Sequence, residues 1–297
     1  MNTYLDCIPC FFSQALFASR QAGCSEKQQK QILDEVSRLI PELSMTASPP
    51  ENAVKVYRVI NKISGNPDPF AEIKERSNKA AQEVYPLLLK RVESSDDPLL
   101  SAVETAISGN IIDYGANSNI DLMAEIEKIL DQEERALHRE RGELFNIQSL
   151  QSALSSAKEI LYIGDNAGEI VFDKLLVKII SRLYPEIKIR FAVRGKPVIN
   201  DVTLEDASST GMDTLCEIVS SGSGTPGAVP EFVSPEFSGL LGSADVIISK
   251  GQGNYEALSG SRLPVFYLLR VKCAIIARHI PAEKGDFCLI KESSPSG

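Results

Sequence analysis

The sequence predicts an α/β protein: a three-layer α/β/α fold on a mostly parallel sheet, preceded by a helical N-terminal domain. Two observations lead there. Through the first 150 residues, apolar positions recur at helical spacing. Beyond that point short β-branched runs alternate with helical patterns, which implies parallel strands with helices on both faces. The expected division is a helical domain at 1–150 and an α/β/α domain at 151–297.

In "EKQQKQILDEVSRLIPEL", Ile32, Val36, Leu39 and Ile40 share one helix face, and Pro41 ends it. "ENAVKVYRVINKISG" repeats the pattern with Val56, Val59, Ile60 and Ile63, and Gly65 is a natural stop. The segments 72–98 and 119–142 also read as helices with charged outer faces. Strands are expected at 160–163, 187–193, 216–221, 245–249, 265–269 and 287–290. After the first comes a marked helix, with Phe172, Leu175, Leu176, Ile179, Ile180 and Leu183 along one stripe.

A net charge of −9 and a pI near 5.0 count against nucleic acid as the main partner. The N-terminus lacks a basic leader, and no apolar run reaches membrane-spanning length, so a cytoplasmic protein without a membrane partner is expected. Six cysteines in 297 residues do not suggest a disulfide scaffold. The two histidines, His138 and His279, leave oxygen or sulfur to hold any metal. Oligomeric state is left open.

In open parallel sheets ligands bind beyond the carboxyl ends of the strands. The residues there are Gly164-Asp165-Asn166, Arg194-Gly195-Lys196, Gly222-Ser223-Gly224, Lys250 to Asn254, and Arg270 with Lys272. Oxygen donors at one edge and cations at the others suit a divalent cation with a small phosphorylated ligand. Asp165 and Asn166 are adjacent oxygen ligands, Gly164 and Gly168 let the backbone turn closely, and Glu169 stands behind them or orients a water. Helix capping by Asp165 or Asn166 is the competing reading. For a third ligand Asp201 is preferred, with Glu205 and Asp206 behind it, although the pattern alone makes all three just as fit for a helix start.

Five segments at these separations carry a resemblance: "GNIIDYGAN" (109–117), "GDNAGEIVFDKLL" (164–176), "VRGKPVINDVT" (193–203), "SKGQGNYEAL" (249–258) and "FYLLRVKC" (266–273). Together with the N-terminal "CIPC" they resemble the damage-control phosphatase family, ARMT-like and formerly a domain of unknown function, in its stand-alone prokaryotic and archaeal branch. The resemblance implies a metal-dependent phosphatase acting on sugar phosphates, damaged nucleotides or related phosphometabolites. It puts the cation, Mn²⁺, Ni²⁺, Co²⁺ or Mg²⁺, on Asp165, Asn166 and Asp201, and phosphate on Lys250. Here Arg270-Val271-Lys272 departs from the Arg-Thr-x-Lys usual in the eukaryotic branch.

The catalytic set expected is therefore Asp165, Asn166, Glu169 and Lys250. Asn110, Asp113, Arg194, Lys250, Gly251, Asn254 and Arg270 are expected around substrate. Asn110 and Asp113 compete with a plain turn between helices. "GSGTPG" (222–227) fits a dinucleotide fingerprint but leads into no helix, so it reads as a flexible substrate-side loop. An aspartyl-phosphate mechanism on Asp165 lacks its second acid, since Ala167 stands there. A non-catalytic phosphometabolite sensor is the alternative outside enzymes. Cys7 and Cys10 have metal or redox spacing and are expected to be a reduced structural pair.

Overall fold

The computed structural model describes residues 1–109 and 144–291, and elements are numbered within those segments. Asn110, Asp113 and the helix expected at 119–142 lie outside them.

The helical part begins with α1 (Cys7–Gln21), α2 (Glu26–Leu39) and α3 (Pro49–Ser64). Reciprocal capping boxes start the latter two, Ser25 with Gln28 and Ser48 with Glu51. Pro41 turns the end of α2 into a short 3₁₀ turn, and Gly65 ends α3 at φ 68°. Next come α4 (Ala71–Glu93) and α5 (Pro98–Ser108). Pro86 sits inside α4 on its exposed side without ending it. Neither α1 nor α5 was expected from apolar periodicity. Around Phe11, Ile32, Val36, Val56 and Ile60, helices α1 to α3 form their own core.

After α6 (Ile147–Ser156) the chain alternates. In order come β1 (Glu159–Ile163), α7 (Glu169–Leu183), β2 (Lys188–Val193), α8 (Leu204–Ser209), β3 (Glu217–Ser220), α9 (Pro235–Ser243), β4 (Val246–Lys250), α10 (Gly251–Leu258), β5 (Val265–Arg270), α11 (Ala274–His279) and β6 (Phe287–Lys291). All six expected strands are present. The sheet order is β3-β2-β1-β4-β5-β6, parallel throughout except for the β5–β6 pair.

The sheet is buried on both faces, as parallel sheets require. Ile160 and Tyr162 of β1 join Val103 of α5 and Phe172 and Leu176 of α7 in one core, while Leu161 and Ile163 join Phe237, Ile247 and Tyr267 on the opposite face. Helices α4 and α5 thus pack with α7 against the sheet. The order of strands reverses between β1 and β4, and the crevice at such a reversal is where open α/β sheets bind ligands. No helix among the described residues is long and apolar enough to cross a membrane.

A candidate metal- and phosphate-binding site

The carboxyl end of β1 is packed so tightly that only glycine fits at 164, where a Cβ would lie 2.7 Å from the Phe191 ring. The next residues pair with the segment after β2. Val202 N–H donates to the Asp165 carbonyl and Ala167 N–H to the Asn200 carbonyl, each at 2.8 Å, making a single antiparallel bridge between Asn166 and Asp201. Asp201 follows a tight turn closed by its own N–H on the Val198 carbonyl at 3.1 Å. Ile199 in that turn has φ 45°, a strained conformation for a β-branched residue that the backbone pairing maintains.

Neither Asp165 nor Asn166 caps α7. Gly168 does, at φ 79°, and its N–H donates to the Asn78 side chain of α4 at 2.7 Å. The three acids after β2 also take different places. Asp206 forms the capping box with Thr203 and takes Asn78 at 2.9 Å and Lys74 at 3.5 Å, so it joins α8 to α4. Glu205 is exposed on the first turn of α8. Asp201 alone reaches a cleft of about 230 Å³ that Asp165, Asn166, Gln252, Glu256 and Lys272 also line. Phe11 and Gln14 of α1 and Pro49, Pro50 and Ala53 of α3 wall it.

The Asn166 carboxamide nitrogen donates to Glu169 at 2.8 Å and to Asp165 at 3.3 Å. Its oxygen therefore keeps its lone pairs, and Glu169 fixes which way the amide faces. Burial, reinforced by Glu169 and Asp201, holds the Asp165 carboxyl well above the usual carboxylate range. Burial raises Asp201 too, outweighing the Arg194 guanidinium 2.6 Å away.

Several expected ligands have other partners. Lys250 is fully buried, with its ammonium 2.9 Å from Asp173 and 3.2 Å from Glu169 on the α7 side of the sheet. Burial works against its charge, but Asp173 and Glu169 outweigh that and hold its pKa up. Burial pushes Asp173, also bonded by Tyr162 at 2.8 Å, up to about 6 against the pull of Lys250. Arg194 donates to Asp201 and to Asn254 at 3.0 Å. Asn254 accepts from Arg194 and Ala228 and donates to the Gly164 and Lys250 carbonyls, which ties the β1 and β4 tips together. Arg270 donates to the Gly285 carbonyl at 3.2 Å. These contacts correct the expectation that Lys250, Arg194, Asn254 and Arg270 face substrate. At and beyond the strand ends, sequence does not reveal what a side chain meets on the face to which it turns.

What the cleft offers an anion is instead backbone and one lysine. Gly251 begins α10 at φ 78°, and a Cβ there would fall 1.8 Å from Asp165 Oδ2. No side chain caps this helix, and Gln252 and Gly253 of its first turn line the cleft. Such uncapped N–H groups are a ready anion site. Lys272, to which the sequence assigns no firm role, lines the same cleft. The loop at 222–227 is less free than expected. Its Ser223 and Thr225 hydroxyls bond each other at 2.9 Å, and the Ser223 carbonyl accepts from Gly195 at 2.8 Å.

Whether these donors suit a cation depends on their number and kind. Among the described residues no group of three His, Cys, Asp or Glu is arranged to hold a metal. Two carboxylates with a carboxamide oxygen fall below that count, yet they are hard oxygen donors of the kind Mg²⁺ and Mn²⁺ take. Around the strand tips Asp165, Glu169, Asp173, Asp201 and Glu256 face Lys250, Arg194 and Lys272. A divalent ion would favour the ionised forms of Asp165 and Asp201, which burial disfavours. The donor set fits such an ion. A larger cavity of about 360 Å³ across Ile199, lined by Tyr57, Arg58, Phe70 and Lys196, contains none of the three oxygen ligands. All six cysteines are free thiols, and burial raises those of Cys7 and Cys10.

Fold and site together describe an α/β protein whose sheet edge gathers oxygen donors and an open helix start beside one cleft. The family model described as the damage-control phosphatase ARMT1-like domain matches residues 3–287. The chain belongs to that family. It is 36% identical over 288 residues to a damage-control phosphatase of Archaeoglobus fulgidus, covering 94% of this chain and 96% of that one. A damage-control phosphatase of Pyrococcus horikoshii is 32% identical over 290 residues, with 96% of each chain covered. The crystal structure of a DUF89 family protein from Pyrococcus horikoshii superposes with a TM-score of 0.87 at 30% identity, covering 99% of this chain and all of that one.

Proposed function

We propose that the chain is a metal-dependent phosphatase hydrolysing small phosphate esters. The observation that carries this reading is the Asn166–Asp201 bridge, which brings three oxygen ligands beside the uncapped start of α10. Asp165, Asn166 and Asp201 would hold Mn²⁺, Ni²⁺, Co²⁺ or Mg²⁺. The chemistry such an ion supplies is Lewis-acid polarisation of a phosphoryl oxygen and activation of water.

The remaining work falls to the chain. First-turn N–H groups of α10 and the Lys272 ammonium bind the equatorial phosphoryl oxygens and stabilise charge as it develops. Glu169 keeps the Asn166 oxygen toward the cleft. Lys250, by pairing with both Glu169 and Asp173, helps two acids stay buried behind the site. The walls from α1 and α3 narrow access to water. Family membership and the names of the archaeal relatives support phosphatase action, and sugar phosphates or damaged nucleotides are the substrate class we favour.

The test is release of phosphate from p-nitrophenyl phosphate and a panel of phosphorylated metabolites, with several divalent ions. Chelation with EDTA should reduce turnover to the background rate, and added Mn²⁺ should restore it. Turnover unaffected by exhaustive chelation would contradict the reading, and ligand binding without turnover under every metal would favour a sensor.

A further inference from the structure

We propose that Glu256 is the general acid of this reaction, protonating the leaving-group oxygen as its bond to phosphorus breaks. The inference rests on the phosphatase reading of the cleft. Hydrolysis of a monoester forms one bond from water oxygen to phosphorus and breaks the ester P–O bond, whose electron pair leaves on the departing oxygen. That oxygen takes the Glu256 proton, the water's proton passes to solvent, and solvent reprotonates Glu256. A basic leaving group needs such a donor, and a positioned one commonly contributes about 10²–10⁴-fold.

Among the described residues three carboxyls line the cleft, Asp165, Asp201 and Glu256. The first two are in the oxygen set for the cation, and Asp201 is ion-paired with Arg194 at 2.6 Å. Glu256 is in neither arrangement. It sits one turn along α10 from Gln252, whose amide donates to its Oε1 at 2.9 Å and fixes the carboxyl. Gln252 is held in turn, its Oε1 accepting from Lys272 N–H at 3.2 Å.

The surroundings suit a proton donor near neutrality. Burial pushes Glu256 up to about 7, with the Gln252 hydrogen bond, the Met1 ammonium and Lys272 pulling the other way. From α1 the thiols of Cys7 and Cys10 face it. From the segment after β5, Cys273 lies 3.6 Å from the Gln252 amide. The α3 residues on the cleft, Pro49, Pro50 and Ala53, bring no charge.

The test compares Glu256→Gln with the parent, both metal-loaded, on p-nitrophenyl phosphate and phenyl phosphate. The two esters have nearly the same shape, but phenolate is the more basic leaving group. The ratio of phenyl to p-nitrophenyl turnover should fall about tenfold or more in the variant. The parent's turnover of phenyl phosphate should decline above about pH 7, a limb that the variant lacks and that p-nitrophenyl phosphate shows only weakly. A ratio unchanged by the substitution overturns the proposal and leaves Lys272 as the donor. If the variant does not fold, the parent's two pH profiles decide, and coincident alkaline limbs overturn it. A parent inactive on both esters contradicts the phosphatase reading itself, which is a different result.

Discussion

Asp165→Asn is expected to lower phosphate release by about 10³-fold while raising the melting temperature of the metal-free protein at pH 8. The activity loss arises because a bound ion contributes several kcal/mol and each 1.36 kcal/mol is tenfold in rate. The gain in stability has a different origin. Burial, Glu169 and Asp201 together disfavour the Asp165 carboxylate in the folded chain. The folded protein therefore keeps a proton that the unfolded chain releases, and stability falls as pH rises above the ordinary carboxylate range. Asp173, pushed up to about 6, and Glu256, up to about 7, act in the same direction. Asparagine removes the Asp165 share of that loss. Thermal melts in EDTA at pH 5 and pH 8 check it: the variant should exceed the parent at pH 8, by a margin that narrows at pH 5 and closes only toward the ordinary carboxylate range. A variant less stable than the parent at pH 8 would mean that the carboxylate stabilises the metal-free fold.

Lys250→Met is expected to destabilise the protein by about 3–5 kcal/mol, the range for removing one partner of a buried ion pair. Glu169 and Asp173 would be left buried without their ammonium, and the second oxygen of Asp173 already has no hydrogen-bond partner. The family resemblance predicts something else at this position, a phosphate ligand whose loss raises KM and leaves stability nearly unchanged. Urea denaturation and steady-state kinetics on the same variant separate these outcomes. A full-stability Lys250→Met enzyme with raised KM would restore Lys250 to the substrate.

Much of the fold was legible because its signals are local. Runs such as "ILYI" and "DVIIS" are short, β-branched and bounded by turn residues, and all six became strands. Gly65 and Pro41 stop helices through chain conformation alone. The cleft lined by Asp165, Asn166 and Asp201 was legible because ligand sites of open sheets gather at strand ends, a rule of topology that needs no side-chain directions. Side chains at and beyond the strand ends were harder to read. Lys250 is the last paired residue of β4, opposite Leu268, and its direction is set by the pleat. Its sequence neighbours give no sign of Asp173 and Tyr162 waiting on that face. Asn254 reads as a polar loop residue until its four hydrogen bonds between two strand tips are seen. Glu256 lies inside the segment 249–258 but nothing in its spacing marks it, and only the i to i+4 step from Gln252 on a helix at the cleft brings it there. Helix α1 is hard to recognise because "CIPCFFSQALFASRQ" has apolar residues on more than one side and so lacks a clean stripe.

The central claim is that side chains 165, 166 and 201 share one cation. Crystals of the protein soaked in Mn²⁺, with anomalous scattering recorded, test it most directly. The account predicts a single strong peak within coordination distance, about 2.0–2.6 Å, of oxygens from all three residues. A peak elsewhere, with Asp201 held by Arg194 alone, would contradict it.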